Sequence, residues 1–333
     1  MAVRYETSEG IIAVAVKFWS TVLPEVLSAH EFWLLLILNI IVRYLRANDL
    51  FDPEVYNIHL PWHLTGVTGS LMTFFVCFYN GQQFQRYNHL YDVTQKMFEH
   101  TFEFASMVRI QVRDKAVQRK SVKLVIASCF TFLSFQRTGW LTAKQWRLFH
   151  KLDLLSSEEI DILRRHIRQL EEDAVPSFLP LHWAGKLIHS VTESPADRED
   201  MIAGIFSKLY HVRKCQADMV ATMELPMPFQ YFHIMNMMLV LNLLLWAYAL
   251  ACQDSFFAPI IFAFSQMMFQ GLRELSTSLS NPWGYDDVDF PVEEWMQKLY
   301  SRMFGIIEDT FDAQNLTKLG PLVHPSDFVL EES

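Results

Sequence analysis

Long uncharged runs dominate the hydrophobic pattern of this chain. The longest extends over 225–253, where 29 consecutive residues carry no Asp, Glu, Lys or Arg; a helix needs only about 20 apolar residues to cross a bilayer core. A second run of 18 uncharged residues follows at 255–272, after Asp254 alone. So short a link predicts a membrane-spanning helical hairpin, with spans at about 228–252 and 255–273.

Two earlier apolar runs predict two more spans. The 26 residues at 60–85 carry no formal charge, and FWLLLILNII at 32–41 ends shortly before Arg43 and Arg46. Because arginine side chains can extend to the membrane interface, the short run can be lengthened to a full crossing. The pattern therefore predicts spans at about 31–46 and 61–85. The 13 uncharged residues at 124–136 fit a buried core helix better than a crossing.

Charged, helix-like sequence fills the interval between the two pairs of spans. In DLLSSEEIDILRRHIRQLEED the SSEE start offers a helix cap, and apolar positions recur every three or four residues. Basic residues cluster after the second span, which assigns this side of the membrane to the cytoplasm or its equivalent. We expect an all-α protein with four spans, intracellular helices at about 90–224 and a C-terminal tail at 301–333. Arg43 and Arg46 are the one discordant feature of this topology.

Composition supports a membrane protein and excludes several classes. Of the 333 residues 51% are hydrophobic and 14% aromatic, an apolar balance for a soluble protein. A net charge of −9 argues against nucleic-acid binding. The four cysteines show no metal-binding or disulfide spacing, and the N-terminus shows no cleavable signal or transit peptide. Phosphate-loop, nucleophile-elbow, HExxH and dinucleotide-binding motifs are all missing, so we expect no enzyme.

Small and aromatic residues share the second predicted span. Gly66, Gly69 and Ser70 keep one helix surface thin, and Phe74 and nearby phenylalanines follow. One interpretation is close helix packing through small residues. The other is a pore wall, because a phenyl ring presents a positive edge that can meet a partly dehydrated anion.

An acidic loop, SNPWGYDDVDF, follows the last predicted span at 280–290. Asp286, Asp287 and Asp289 supply oxygen ligands of the kind that Ca²⁺ prefers, and Pro282 and Gly284 bend the backbone. The loop lacks the EF-hand pattern. A calcium site and a solvated acidic loop are both compatible with these residues.

Three stretches in a fixed order resemble the bestrophin family. They are FYNGQQFQRY at 78–87, LPMPF at 225–229 and, most specifically, NPWGYDDVDF at 281–290. The resemblance covers about residues 1–300 and implies a pentameric, anion-selective channel with a central pore, opened in many members by calcium held in a clasp. An algal or plant type is one form that the resemblance can take.

The resemblance also implies residue roles. Asp286 and Asp289 would be the clasp carboxylates within the loop at 278–290, completed by the backbone carbonyls of Ser278 and Asn281 and of Gly10 from the adjacent subunit. The pore neck would be formed by residues four positions apart, namely Gly66, Ser70 and Phe74. The candidates for a lower constriction are Met201 and Ile202.

The chain departs from the family pattern in the neck. Gly66 and Ser70 are small where animal relatives carry large apolar side chains, which puts a tight hydrophobic neck in doubt. Gln82 and Gln83 replace a basic–aromatic pair after the neck.

The leading hypothesis is a calcium-dependent homopentameric channel for chloride and similar monovalent anions, bicarbonate included. It would be a multi-pass protein of a lipid bilayer, either the plasma membrane or, for an algal or plant type, a thylakoid or chloroplast membrane. The alternative is a non-conducting membrane scaffold that binds partners through its intracellular helices, with the acidic loop as plain surface.

Overall fold

The computed structural model describes residues 10–15, 17–19, 21–169, 177–191, 198–225 and 227–308. Within these ranges the chain forms twelve α-helices and no strand, which agrees with the predicted all-α class. In chain order they are α1 (Ile11–Ala15), α2 (Leu23–Ser28), α3 (His30–Ala47), α4 (Thr65–Gln111), α5 (Lys115–Thr138), α6 (Ala143–Lys151), α7 (Ser157–Gln169), α8 (Phe178–Val191), α9 (Arg198–Glu224), α10 (Phe229–Ala251), α11 (Ala258–Ser280) and α12 (Val292–Ile307).

Each of the four predicted spans lies on a helix. Helices α3 and α10 follow the predicted boundaries closely, whereas α11 begins at Ala258 and continues to Ser280, past the predicted end at 273. Helices α10 and α11 pack against each other as the predicted hairpin. Among the described helices, only α10 is by itself both long enough and apolar enough to cross a membrane. The number of crossings therefore stays a prediction.

Helix α4 is much longer than the predicted span. Its 47 residues extend for about 70 Å at 1.5 Å per residue. The segment contains no proline, so the expected break between span and intracellular region near 85–90 does not occur. The helix ends where Val112 turns to an extended conformation, and Asp114 then caps α5 by accepting from the amides of Ala116 and Val117.

Two hydrophobic cores lie along α4. Near its start, Met72 and Val76 pack with residues of α3, α10 and α11, such as Leu239 and Phe262. Farther along, Leu90 and Met97 belong to a second core built with α5, α8, α9 and α12. One continuous helix therefore joins the predicted membrane part to the predicted intracellular part.

Helix α5 is the centre of the second core. All its residues from Leu124 to Ser134 are buried, which confirms the prediction that the apolar run at 124–136 is a core helix. Gly139 ends α5 with φ of +71°, a left-handed conformation that glycine adopts without steric cost. A closed ring of buried hydrogen bonds ties α5 to α8 and α9. In it Ser128 Oγ donates to Ser177 O (2.7 Å), Ser177 Oγ to Gln216 Oε1 (3.0 Å) and Gln216 Nε2 to Ser128 Oγ (3.1 Å).

The predicted helix cap at SSEE is confirmed. Ser156 Oγ accepts from the amide of Glu159 at 3.3 Å, and Glu159 Oε2 accepts from the amide of Ser156 at 2.8 Å. This reciprocal pair is a capping box at the start of α7.

The two discordant arginines have partners at the turn between α10 and α11. Arg43 donates to the carbonyl of Ser255 at 2.8 Å, and Arg46 donates to the carbonyl of Cys252 and pairs with Asp254 at 3.1 Å. Carbonyls at a helix C-terminus carry partial negative charge and stabilise cations. Both arginines thus have partners in the folded chain.

The C-terminal helix passes the boundary expected at residue 300. Helix α12 continues to Ile307, and Met303 and Ile307 are buried in the second core. Residues 309–333 of the predicted tail lie outside the described residues.

Candidate functional site

One stripe of α4 lies uncovered in the single subunit. Gly66, Ser70 and Phe74 are all exposed, with Phe74 at 62%. Their four-residue spacing places them on one helix face. The opposite face, which includes Met72 and Val76, is buried against α10 and α11. The structure thus brings the three predicted neck residues together on a surface that the subunit itself does not cover.

Two of the small residues of α4 have different environments, since Gly69 is packed against another helix and Gly66 is exposed. A Cβ on Gly69 would lie 2.8 Å from Trp246 Cζ2, so this glycine permits close contact between α4 and α10. A Cβ on Gly66 would have no atom within 4 Å. The packing interpretation therefore applies to Gly69, and Gly66 is free for another role.

Phe74 belongs to a cluster of aromatic rings beside the start of α10. Its ring stacks on that of Phe78 with centroids 6.2 Å apart, and Phe78 contacts Tyr231 at 5.7 Å. Pro228 caps α10 just before, with its carbonyl accepting from the amide of Tyr231 at 3.0 Å. The two helices together hold the phenyl rings at the uncovered face.

The two glutamines after the neck differ in environment. Gln83 is buried, and its Oε1 has no hydrogen-bond partner in the described part of the chain. Gln82 is half-buried. Of the lower-constriction candidates, Ile202 is half-buried on α9, and the side chain of Met201 lies outside the described residues.

The acidic loop follows α11 directly and is fixed by a buried tryptophan. Asn281 caps the helix, and its Oδ1 accepts from the amide of Trp283 at 3.4 Å. Trp283 is fully buried and meets Phe290 edge to face at 5.2 Å, while the Phe290 amide donates to the carbonyl of Pro282 at 2.9 Å. The two ends of the loop are therefore held together.

Two hydrogen bonds join Asp286 and Asp289 within this loop. Asp289 Oδ2 accepts from the amide of Asp286 at 2.7 Å, and the Asp286 carbonyl accepts from the amide of Asp289 at 3.0 Å. A Cβ on Gly284 would lie 2.6 Å from Asp289 Oδ2, so a larger residue there would displace the Asp289 carboxylate. Asp286 and Asp287 are exposed, whereas Asp289 is only 3% exposed.

The carboxylate of Asp289 is incompletely satisfied. Its Oδ1 is buried and has no hydrogen-bond partner among the described residues. Burial raises the pKa of Asp289, and the nearby carboxylate of Asp286 raises it further. A bound cation would supply the missing partner and reverse this electrostatic penalty.

The carboxylates of the loop are too few to coordinate a hard cation by themselves, so backbone carbonyl oxygens would have to complete the coordination. No cluster of three or more His, Cys, Asp or Glu side chains suited to a metal occurs in the described ranges. Ser278 lies half-buried in the last turn of α11, and Asn281 is exposed. Gly10 is exposed, and its predicted role concerns a second subunit.

Three further residues lie near the loop that no sequence pattern predicted. Glu25 on α2 has a pKa raised by burial and then by the charges of Asp286, Glu274 and Asp287, which places this carboxylate in the same acidic region. The Tyr87 hydroxyl of α4 donates to the carbonyl of Val288 at 3.0 Å. No spacing in the sequence connects these residues to the loop, because helix packing alone brings them together.

The third residue is Arg137 at the end of α5. Its guanidinium lies 3.6 Å from the centroid of the Tyr285 ring and forms an ion pair with Glu293 of α12. The acidic loop is thus held by α4 through Tyr87 and by α5 through Arg137, which also joins α5 to α12.

Comparison with known proteins assigns the family. The sequence model described as Bacterial/Fungal Bestrophin protein matches residues 1–303, so the chain belongs to the bestrophin family. This membership supports an integral membrane location and a role in anion transport. Comparison with curated protein sequences finds no match.

Solved structures of a bacterial bestrophin homologue from Klebsiella pneumoniae share the fold. One variant aligns with a TM-score of 0.75 at 17% identity, covering 88% of this chain and 100% of that chain. A second variant gives 0.73 at 17% identity, covering 84% and 98%. A zinc-phased structure gives 0.72 at 17% identity, covering 83% and 97%.

Proposed function

We propose that this protein is a subunit of a homopentameric anion channel whose central pore is lined by α4, with calcium at the loop 278–290 stabilising the open form. The observation that carries the proposal is the uncovered stripe of Gly66, Ser70 and Phe74. Family membership supports the class of protein, and the chemistry of the stripe supports its place in the pore.

The exposed side chains of the α4 stripe and of α10 differ in size and polarity, as expected if the stripe faces a pore and α10 faces lipid. From Ile234 to Leu245 the exposed side chains of α10 are large and apolar, Val240 and Leu241 among them. On α4 the stripe begins with Gly66 and Ser70, and Ser70 Oγ satisfies itself by donating to the Gly66 carbonyl at 2.8 Å. Large apolar residues suit lipid tails, whereas small and polar residues suit a wide aqueous passage.

Exposed apolar residues beside the stripe offer contacts for neighbouring subunits. Val67 and Leu71 flank Gly66 and Ser70 and are exposed in the single chain. In a ring around one axis, such flanking positions would be covered by adjacent copies, while the stripe itself would face the axis.

The aromatic part of the stripe suits an anion. Phe74 can direct the positive edge of its ring toward a partly dehydrated chloride or bicarbonate ion, and it adds no full charge that would trap the ion. Gly66 and Ser70 would widen the passage next to it.

Calcium would act through the loop at 278–290. Ca²⁺ takes about 6–8 oxygen ligands. Asp286 and Asp289 would provide carboxylates, and the carbonyls of Ser278, Asn281 and the neighbouring subunit's Gly10 would add to them. The orphaned Oδ1 of Asp289 supports this assignment. Because Tyr87 of α4 is hydrogen-bonded to the loop, occupancy would be coupled to the pore helix.

Anion flux into liposomes tests the proposal. The reconstituted wild-type protein should pass chloride in the presence of calcium and much less in a calcium chelator. Replacing both Asp286→Ala and Asp289→Ala should abolish the calcium-dependent part and the bound ion without loss of the oligomer. Asp287→Ala is the matched control, because this exposed carboxylate is not assigned to the clasp.

Each result separates the alternatives. Flux that is undiminished and still calcium-dependent in the double variant would refute the calcium site but not the channel. A correctly assembled wild-type protein that passes no anion would refute the channel and favour the scaffold.

A further inference from the structure

A groove lies between α8 and α9, outside both candidate sites. Its volume is about 640 Å³, and none of its lining residues belongs to the α4 stripe or the acidic loop. The floor is apolar and is built by Phe178, Leu181, Phe206 and Leu209. Clefts of about 300–1,000 Å³ with apolar walls are typical of small-molecule sites.

Basic side chains surround this apolar floor. The described residues that line the groove include no Asp or Glu, although the whole chain has a net charge of −9. His182, Lys186 and His189 recur on one face of α8 and are exposed, and Arg213 approaches from α9. His166 of α7 completes the basic set.

Arg213 is positioned by an aromatic contact. Its guanidinium carbon lies 5.2 Å from the centroid of the Phe178 ring, within range of a cation–π interaction. The guanidinium has five N–H donors, more than one aromatic contact can engage, so donors remain for an anionic oxygen. The arginine can therefore hold a headgroup while the phenylalanine belongs to the floor beneath it.

We propose that this groove binds a single-chain amphiphilic carboxylate, that is, a fatty-acid anion. The hydrocarbon chain would lie on the floor formed by Phe178, Leu181 and Leu209, and the carboxylate would meet Lys186 and Arg213. An apolar floor without a charged rim would suit a neutral ligand, and a basic rim without the floor would suit an inorganic anion. The combination selects a ligand that carries both parts.

Protection of an introduced cysteine tests the assignment in the full chain in lipid nanodiscs. The background variant is Cys77→Ser, which removes the one cysteine that is exposed in the structure. Tyr210→Cys then places a thiol at an exposed position of the groove lining. Dodecanoate at about nine times its dissociation constant fills roughly nine-tenths of the sites and should slow maleimide labelling by about tenfold, whereas 1-dodecanol and dodecyltrimethylammonium should leave the labelling rate unchanged.

A pair of double variants distinguishes the basic rim from general surface charge. Lys186→Gln with Arg213→Gln should raise the dodecanoate concentration for half protection by about tenfold or more, since a charge-assisted contact is lost. Lys144→Gln with Arg147→Gln on α6 removes two exposed basic residues outside this groove and should have no effect.

Two outcomes would overturn the proposal. Equal protection by all three amphiphiles would show membrane partitioning rather than a site for carboxylates. Slow labelling of Tyr210→Cys without any amphiphile would show that protein covers the groove, from a neighbouring subunit or another segment of the chain. Neither outcome bears on anion flux, so this test is independent of the proposed channel function.

Discussion

At the scale of single residues, Asp289 combines burial with an unpaired oxygen. Its pKa is raised above the ordinary value of about 4, so the folded protein binds this proton more tightly than the unfolded chain does. Without a cation, stability should therefore fall as the pH rises from the ordinary aspartate pKa through the raised one. Calcium should restore the lost stability, because it stabilises the ionised form.

Asp289→Asn tests this directly by thermal unfolding. In a calcium chelator at neutral pH, the variant should unfold at a higher temperature than the wild type, by about 1–2 °C for each kcal/mol gained. Added calcium should stabilise the wild type and not the variant. Asp287→Asn, at an exposed position, is the control and should behave as the wild type. A wild type whose unfolding temperature is indifferent to both calcium and pH would contradict the prediction.

Gln216 contributes to the stability of the fold rather than to either candidate site. It accepts from Ser177 and donates to Ser128 in the buried ring that joins α5, α8 and α9. Gln216→Ala leaves both hydroxyls without these partners and should cost about 2–4 kcal/mol in the free energy of unfolding. Lys214→Ala, an exposed change on the same helix, should cost about 0.5 kcal/mol or less. Denaturant unfolding of both variants measures the difference, and equal costs would argue against the ring as a stabilising unit.

At the scale of elements, α4 has two faces that a pair of identical substitutions can distinguish. Gly69→Ala places a methyl group 2.8 Å from the Trp246 ring and should destabilise the fold by about 1–3 kcal/mol. Gly66→Ala meets no atom within 4 Å and should leave stability unchanged or raise it by up to about 1 kcal/mol, since alanine favours a helix.

The flux measured with the same two variants completes the comparison. Gly66→Ala should alter chloride conductance in an intact protein, because the added methyl group would narrow the proposed pore. Gly69→Ala should alter yield and stability first. If Gly66→Ala is as destabilising as Gly69→Ala, the face of Gly66 is packed against another part of the assembly rather than open to a pore.

At the scale of the whole molecule, the proposed ring predicts selectivity from Phe74. Phe74→Ala should change the permeability ratio of two anions, measured by bi-ionic reversal potentials, because it removes the ring edges from the neck. Phe264 on α11 is a matched control, since its exposure of 59% is close to the 62% of Phe74. Phe264→Ala should leave the permeability ratio as it is.

The assembly itself can be measured on the same preparations. Native mass spectrometry should give five copies of the chain for the wild type and for both phenylalanine variants. An assembly of another number would correct the proposed symmetry, and an unchanged permeability ratio in Phe74→Ala would remove this side chain from the pore wall.

Features that depend on residues close together along the chain could be predicted from the sequence. Uncharged runs predicted where α3, α10 and α11 lie, the 13-residue run predicted the buried part of α5, and SSEE predicted the capping box of α7. The contact of Asp286 with Asp289 was predictable because three residues separate them in one bent loop. In each case the spacing along the chain sets the distance in space.

Features that depend on residues far apart along the chain could be recognised only in the folded protein. Gly66 and Gly69 are alike in sequence, and only the position of Trp246 assigns one to packing and leaves the other uncovered. Helix packing brings Glu25 close to the acidic loop. It also forms the groove with basic residues at its edge between α8 and α9. No local sequence pattern encodes either contact. The physical reason is that each exposed or buried face is defined by the neighbour it meets, and these neighbours are brought near only by the complete fold.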